Sequence, residues 1–330
     1  MSRTQTLQRR ARSISVVTIG AVVTTAFLPL LLVLATGFDI ARFMTGHRRF
    51  VGARLLVIGW LYLVTELIGL LALGLTWVLT GFGLLRGPLT ASAFAIQRWW
   101  TGTLLRVIAT VFQLKLEVEG DEDLAPGPIV VLMRHASIID NLLPGALISR
   151  PTGIRLRYVL KKELLSDPAL DVAGNRLPNY FVDRAAGGTT EVDAVGALGS
   201  GLGPDEGVLI YPEGTRFTPE RRERALERLA DRNPELLERG RRLQHVLPPR
   251  PGGPLALLDV TPPLDVIIAA HRGLDGFSHI RDIMEGGLVG STVRVRFERH
   301  PHSTIPADRD ARVQWLYDRW DDIDSWIARS

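Results

Sequence analysis

Pro128-Ile-Val-Val-Leu-Met-Arg-His-Ala-Ser-Ile-Ile-Asp140 is the stretch on which the reading turns. Pro128 to Met133 is a short apolar run, the pattern of a strand buried on both faces. It runs directly into His135, and Asp140 follows five positions later. With a helix starting near Ser137, the aspartate falls in its first turn, back towards the strand end. There its carboxylate accepts the imidazole Nδ1 proton and leaves Nε2 to take a proton from an alcohol. A surface histidine beside a helix-capping aspartate gives the same spacing, so the pair needs support from the rest of the chain.

Outward from this stretch the chain alternates strands and helices. Strands are expected at 114–119, 155–160, 180–182, 207–211, 244–247, 264–270 and 292–298. Helical patterns lie between them, at Asn141–Ser149, Thr190–Leu198 and Pro219–Leu243. Such alternation argues an α/β fold, a mixed and mostly parallel sheet with helices on its faces. One strand runs into a turn, Gly207-Val-Leu-Ile-Tyr-Pro-Glu-Gly-Thr-Arg216. Pro212 ends its ladder, Gly214 permits a tight turn and close approach of a ligand, and Arg216 offers a bidentate contact to a phosphate. Glu213 either pins Arg216 or accepts a bond from a substrate hydroxyl. An ordinary strand exit with a surface ion pair reads the same way. Asn179-Tyr-Phe-Val-Asp-Arg184 is a further strand with a cation, Arg184, at its exit.

The chain of 330 residues has no cysteine, which excludes a thiolate nucleophile, cysteine zinc sites and disulfides. The histidines His245, His271, His279, His300 and His302 show no clustered ligand spacing and read as structural or surface residues, so no metal is expected. The net charge of +4 is unevenly spread. Residues 1–115 hold twelve Lys or Arg against two Asp or Glu, and the remainder is net acidic. The basic part is also the apolar part, a combination that favours anionic lipid surfaces over nucleic acid.

Two apolar runs carry that character. Ile14 to Phe38 is 25 residues without a charge, about 37 Å as a helix against a bilayer core of about 30 Å. Pro29 is expected to kink it or break it into a re-entrant shape. Leu55 to Leu85 is interrupted only by Glu66, which faces a partner helix or water. Arg42, Arg48, Arg49 and Arg54 lie between the runs. A simple hairpin with both ends inside would put them outside, against the positive-inside rule. Leu89 to Leu114, with Trp99 and Trp100, reads as an amphipathic helix at headgroup level or as a core-packing helix.

In order and spacing, Arg134-His135…Asp140, Phe181-Val-Asp-Arg184 and Tyr211-Pro-Glu-Gly-Thr-Arg216 resemble three motifs of the glycerolipid acyltransferase family, the 1-acylglycerol-3-phosphate and lysophospholipid acyltransferases. Lys161-Lys-Glu-Leu164 resembles the family's lysine-containing block, and Val246-Leu-Pro-Pro-Arg250 sits where its fourth motif belongs. From Asp265 to Trp320 the chain is similar to the lysocardiolipin branch. The resemblance spans roughly 114–325. It departs at Arg134, where the family usually has asparagine, and this position is expected to bear on acceptor identity.

The resemblance implies a membrane-anchoring region at 1–88 and a catalytic domain at 89–330. His135 would be the general base and Asp140 its orienter. Glu213, Gly214, Thr215 and Arg216 would bind the acceptor phosphate, helped by Arg184, and Lys161 would lie near the acyl donor. The substrates implied are acyl-CoA or acyl carrier protein as donor and a lysophospholipid as acceptor, above all 1-acylglycerol-3-phosphate. No cofactor is implied, and the site would face the cytoplasm at the cell membrane. Acylation of another lysophospholipid or a glycolipid, CoA-independent transacylation and an inactive lipid-binding scaffold are the competing readings.

Overall fold

The computed structural model describes residues 3–46, 49–182, 189–260 and 262–329. The chain forms two compact units. One comprises Met1–Leu114, Leu160–Val182 and Ile283–Ser291, and the other Lys115–Val159, Asp183–Asp282 and Thr292–Ser330.

The first unit is built on four long helices: α1 (Arg3–Ala26), α2 (Leu28–Met44), α3 (Gly52–Leu79) and α4 (Arg86–Phe112). The first apolar run breaks at Phe27, and α1 and α2 meet at 77°. Pro29 explains the break, because its ring excludes the carbonyl four residues back and it has no N–H to donate. The bend turns one long run into two short arms. Asp39 of α2 caps α3, its two oxygens accepting the N–H groups of Gly52 (2.8 Å) and Ala53 (2.9 Å). Arg49 donates to the carbonyls of Gly286 (2.6 Å) and Val289 (2.7 Å), and Arg54 to that of Val111. Arg49 and Arg54 are thus held by backbone carbonyls of their own unit.

α3 is the one helix among the described residues long and apolar enough to cross a membrane by itself. One of its faces is polar-braced by the segment 160–182. Tyr62 donates to Asp167 (2.6 Å), Ala169 N–H donates to Glu66 (3.2 Å), and Arg176 donates to the Leu73 carbonyl (2.8 Å). Asp171 in the same segment accepts from Arg9 (2.7 Å) and Arg10 (3.1 Å) of α1. Ile68, Leu71, Leu75, Val78 and Leu79 of α3 stay exposed, as do Val22, Val23, Leu30, Val33 and Leu34 of α1 and α2.

The strands are β1 (Lys115–Glu119), β2 (Ile129–Met133), β3 (Arg155–Lys161), β4 (Tyr180–Val182), β5 (Glu206–Ile210), β6 (Asp265–Arg272) and β7 (Thr292–His300). Their order is β1-β7-β6-β2-β5-β3-β4. β2 lies parallel to both β5 and β6, β3 to β5 and β1 to β7, while β6 and β7 are antiparallel. The sheet is therefore mixed and mostly parallel, as the alternation of elements predicts. β2 is buried at every residue, β5 over Gly207–Ile210 and β6 over Val266–His271. Burying each Val, Leu or Ile contributes roughly 1.5–3 kcal/mol, so these strands are the rigid base of the second unit. The helix Arg309–Ala328 packs on β6, burying Trp315, Tyr317, Trp320 and Ile323.

The strand expected at 244–247 does not form. The N–H groups of Gln244 and His245 are taken by the Asp324 carboxylate, and that of Leu247 by Glu213. With side chains as acceptors, the segment needs no neighbouring strand. The helix expected at Asn141–Ser149 is a 3₁₀ turn, Asp140–Leu142, followed by a π-helical turn, Pro144–Ser149. The pattern at 219–243 divides into helices Pro219–Arg232 and Leu237–Arg242, with Pro234 between them.

Candidate active site

β2 carries the chain to His135. After Met133 the ladder ends with Arg134 N–H donating to the Ala269 carbonyl of β6 (3.0 Å). Asp140 then folds back over the turn. Its Oδ2 accepts from the N–H groups of Ala136 (2.7 Å) and Ser137 (2.8 Å), and its Oδ1 lies 2.9 Å from His135 Nδ1. A carboxylate only accepts, so Nδ1 carries the hydrogen and Nε2 is the basic nitrogen. Both side chains are buried. Burial by itself would raise the Asp140 carboxyl, but His135 first and His271 second hold it well below the usual carboxylate range. It is an anion that fixes the imidazole tautomer and stabilises the imidazolium once a proton arrives.

The second strand exit meets the first. The Tyr211 ring packs against the His135 imidazole, centroids 4.4 Å apart. Burial, with the Asp140 charge, pushes the Tyr211 phenol well above its ordinary value, so it stays neutral. Gly214 N–H donates to the Tyr211 carbonyl (2.9 Å), closing a turn in which Gly214 takes φ +67°. The Arg250 guanidinium covers this turn, and a Cβ on Gly214 would lie 3.3 Å from its central carbon. Phe217 N–H donates to the His135 carbonyl (2.8 Å), tying the end of the turn back to the histidine. Arg216 is half-buried. Burial and then Arg221 lower its guanidinium, while Asp140 and Asp282 act in the other direction.

Glu213 turns inward. One oxygen accepts from the His135 N–H and the other from the Leu247 N–H, both at 2.9 Å. Burial pushes its carboxyl up to about 8, against the opposing effects of Arg134 and of these two donors. Its geometry is that of a brace between the two strand exits and the segment 244–247.

Arg134 is fully buried. It donates to the carbonyls of His271 (2.7 Å) and His245 (2.8 Å) and pairs with Asp275. Any bearing of this position on acceptor identity would therefore be indirect, through the segments it holds. Its side chain points into the protein and staples the segments that carry the site.

His271 is the residue that spacing did not reveal. It is fully buried, and its Nε2 lies 3.3 Å from Asp140 Oδ2. The parallel register of β2 and β6 explains the meeting. Met133 pairs with Ala269, so His135, just past the end of β2, comes beside His271, which is still within β6 and paired with β7. The apolar run ending at Ala270 was the available signal. Of the other expected residues, Thr215 follows Gly214 in the turn, Lys161 ends β3 in the first unit, and Arg184 lies outside the described residues. Among the described residues no cluster of three or more His, Asp or Glu is arranged to hold a metal.

Residues 115–252 match the family model described as Acyltransferase. No curated protein matches the chain. Among solved structures, the 1-acyl-sn-glycerophosphate acyltransferase PlsC from Thermotoga maritima is similar in fold, with a TM-score of 0.53 at 14% identity. The similarity covers 84% of this chain and 97% of that one. The family model begins at β1 and takes in His135, Asp140 and the Glu213–Arg216 turn. Over residues 115–252 the chain is similar to the acyltransferase family, and over most of its length it is similar in fold to PlsC.

Proposed function

We propose that the protein is an O-acyltransferase that moves a fatty acyl group from a thioester to the free hydroxyl of a lysophospholipid, with 1-acylglycerol-3-phosphate as acceptor and phosphatidic acid as product. The observation that carries this reading is the buried His135–Asp140 pair, 2.9 Å apart, beside the turn that presents Arg216. His135 Nε2 removes the proton of the acceptor hydroxyl. The alkoxide attacks the thioester carbonyl carbon, the C–S bond breaks, and the thiolate leaves with the proton held on the imidazolium. No acyl-enzyme intermediate is involved. General base catalysis contributes about 10²–10⁴-fold, and positioning of the two substrates supplies the remainder.

In this reading Arg216 binds the acceptor phosphate, with Gly214 and Thr215 lining its approach, Glu213 bracing the turn and Arg184 as a second cation. Lys161 belongs to the donor side. The donor is acyl-CoA or acyl carrier protein, and no further cofactor takes part. The exposed apolar residues of α1, α2 and α3 enter the cytoplasmic leaflet of the cell membrane, where the acceptor resides, and the basic residues of 1–115 favour its anionic headgroups.

Acceptor choice is tested by comparing Arg216→Ala on lysophosphatidic acid and lysophosphatidylcholine. A bidentate charged contact is worth about ten- to a hundredfold. A loss of that size in kcat/KM is expected with the phosphomonoester and little with the zwitterion. Equal loss on both would count against phosphomonoester specificity, and activity with a phospholipid donor and no thioester would favour transacylation.

A further inference from the structure

We infer that His271 is a positioning residue of this acyl-transfer site, a second imidazole set against Asp140 that tunes how strongly the aspartate draws on the catalytic imidazole. The inference rests on the general-base reading of His135.

The geometry leaves His271 one tautomer. Its Nε2 faces two acceptors, the Arg134 carbonyl at 3.2 Å, to which it hydrogen-bonds, and Asp140 Oδ2 at 3.3 Å, so Nε2 carries the hydrogen and directs it towards both. Its Nδ1 is buried without a hydrogen-bond partner among the described residues, so a second proton there would find no acceptor. His271 therefore serves as a donor through Nε2. Asp140 divides its acceptor capacity accordingly. Oδ2 takes Ala136 N–H and Ser137 N–H and has His271 Nε2 at 3.3 Å, while His135 Nδ1 sits 2.9 Å from Oδ1 and 3.2 Å from Oδ2. Two imidazoles thus grip one carboxylate.

The arrangement is held from behind. Arg134, whose own carbonyl shares the His271 hydrogen, donates its guanidinium to the His271 carbonyl and pairs with Asp275. The other charged or titratable groups acting on Asp140 are His135, Arg216, Tyr211 and Glu213. Each donor on a carboxylate spreads its charge and weakens its pull on the others. Losing the His271 donor should strengthen the pull of Asp140 on His135 while loosening its position. The base then stays protonated to higher pH and is less well aimed.

The test compares wild type with His271→Phe, which keeps a buried ring but no donor, and His271→Gln, whose amide nitrogen replaces Nε2. Acyl transfer is followed against pH, and the His135 ring is followed by NMR titration, with its signal identified from His135→Ala. A hydrogen bond to a charged group corresponds to roughly ten- to a hundredfold in rate. His271→Phe is expected to lose kcat on that scale with KM little changed. The acid limb of kcat/KM and the His135 titration should both move up by about half to one pH unit, and His271→Gln should recover most of both. If the Phe variant keeps the wild-type titration and acid limb, whatever its activity, the inference is overturned. If Gln restores neither, it is overturned as well. Wild type without activity on any acceptor would remove the acyl-transfer reading, while the His135 titration would still decide the role of His271.

Discussion

Glu213 shows how much a single side chain does at this site. It lies in the turn that the resemblance assigns to acceptor binding, yet both its oxygens are engaged by backbone N–H groups of His135 and Leu247. Burial raises its carboxyl from the ordinary 4.5 to about 8. A carboxyl raised on folding adds stability that is fully present below its unfolded value and is lost as pH rises through the folded one. Between about pH 5 and pH 8 the wild type should therefore lose unfolding free energy relative to Glu213→Gln, which cannot titrate. Denaturant unfolding of both proteins across that range checks this, and parallel profiles would remove the assignment. The His135–Asp140 pair was legible in the sequence because it is local, two residues joined by one turn. Arg134 and His271 were not, since their partners lie 111 residues or more away along the chain, and no spacing rule joins such positions before the sheet register is known.

At the scale of elements, the buried strands were easy to read because a parallel strand covered on both faces is a continuous apolar run. The segment 244–247 misled because alternation says nothing about which group accepts its N–H bonds, and here Asp324 and Glu213 do so. The turn after 140 misled because its 3₁₀ and π geometry keeps the apolar pattern of an ordinary helix. The junction between β6 and the loop after it is where an element most constrains the site. Gly273 takes φ +87°, and a Cβ there would overlap the Thr292 carbonyl of the neighbouring strand. Gly273→Ala should cost at least about 1–3 kcal/mol from backbone strain alone and displace His271 two residues earlier. A lowered Tm with reduced kcat is the expected outcome, and an unchanged Tm would show that the strand end yields without cost.

For the whole molecule, a helical unit exposing apolar faces accompanies a sheet unit carrying the buried His135–Asp140 pair and a half-buried Arg216. The bend at Pro29 and the length of α3 were readable from composition. The bracing of α3 by the segment 160–182 was not, because Tyr62 and Glu66 meet partners about a hundred residues later. The proposed chemistry stands on one proton transfer at His135. The most direct measurement is acyl transfer from labelled acyl-CoA or acyl carrier protein to lysophosphatidic acid in vesicles, comparing wild type with His135→Ala shown by circular dichroism to be folded. The account predicts phosphatidic acid from the wild type and a rate at least about 10²-fold lower from the variant. A folded His135→Ala protein that forms product at the wild-type rate would contradict it.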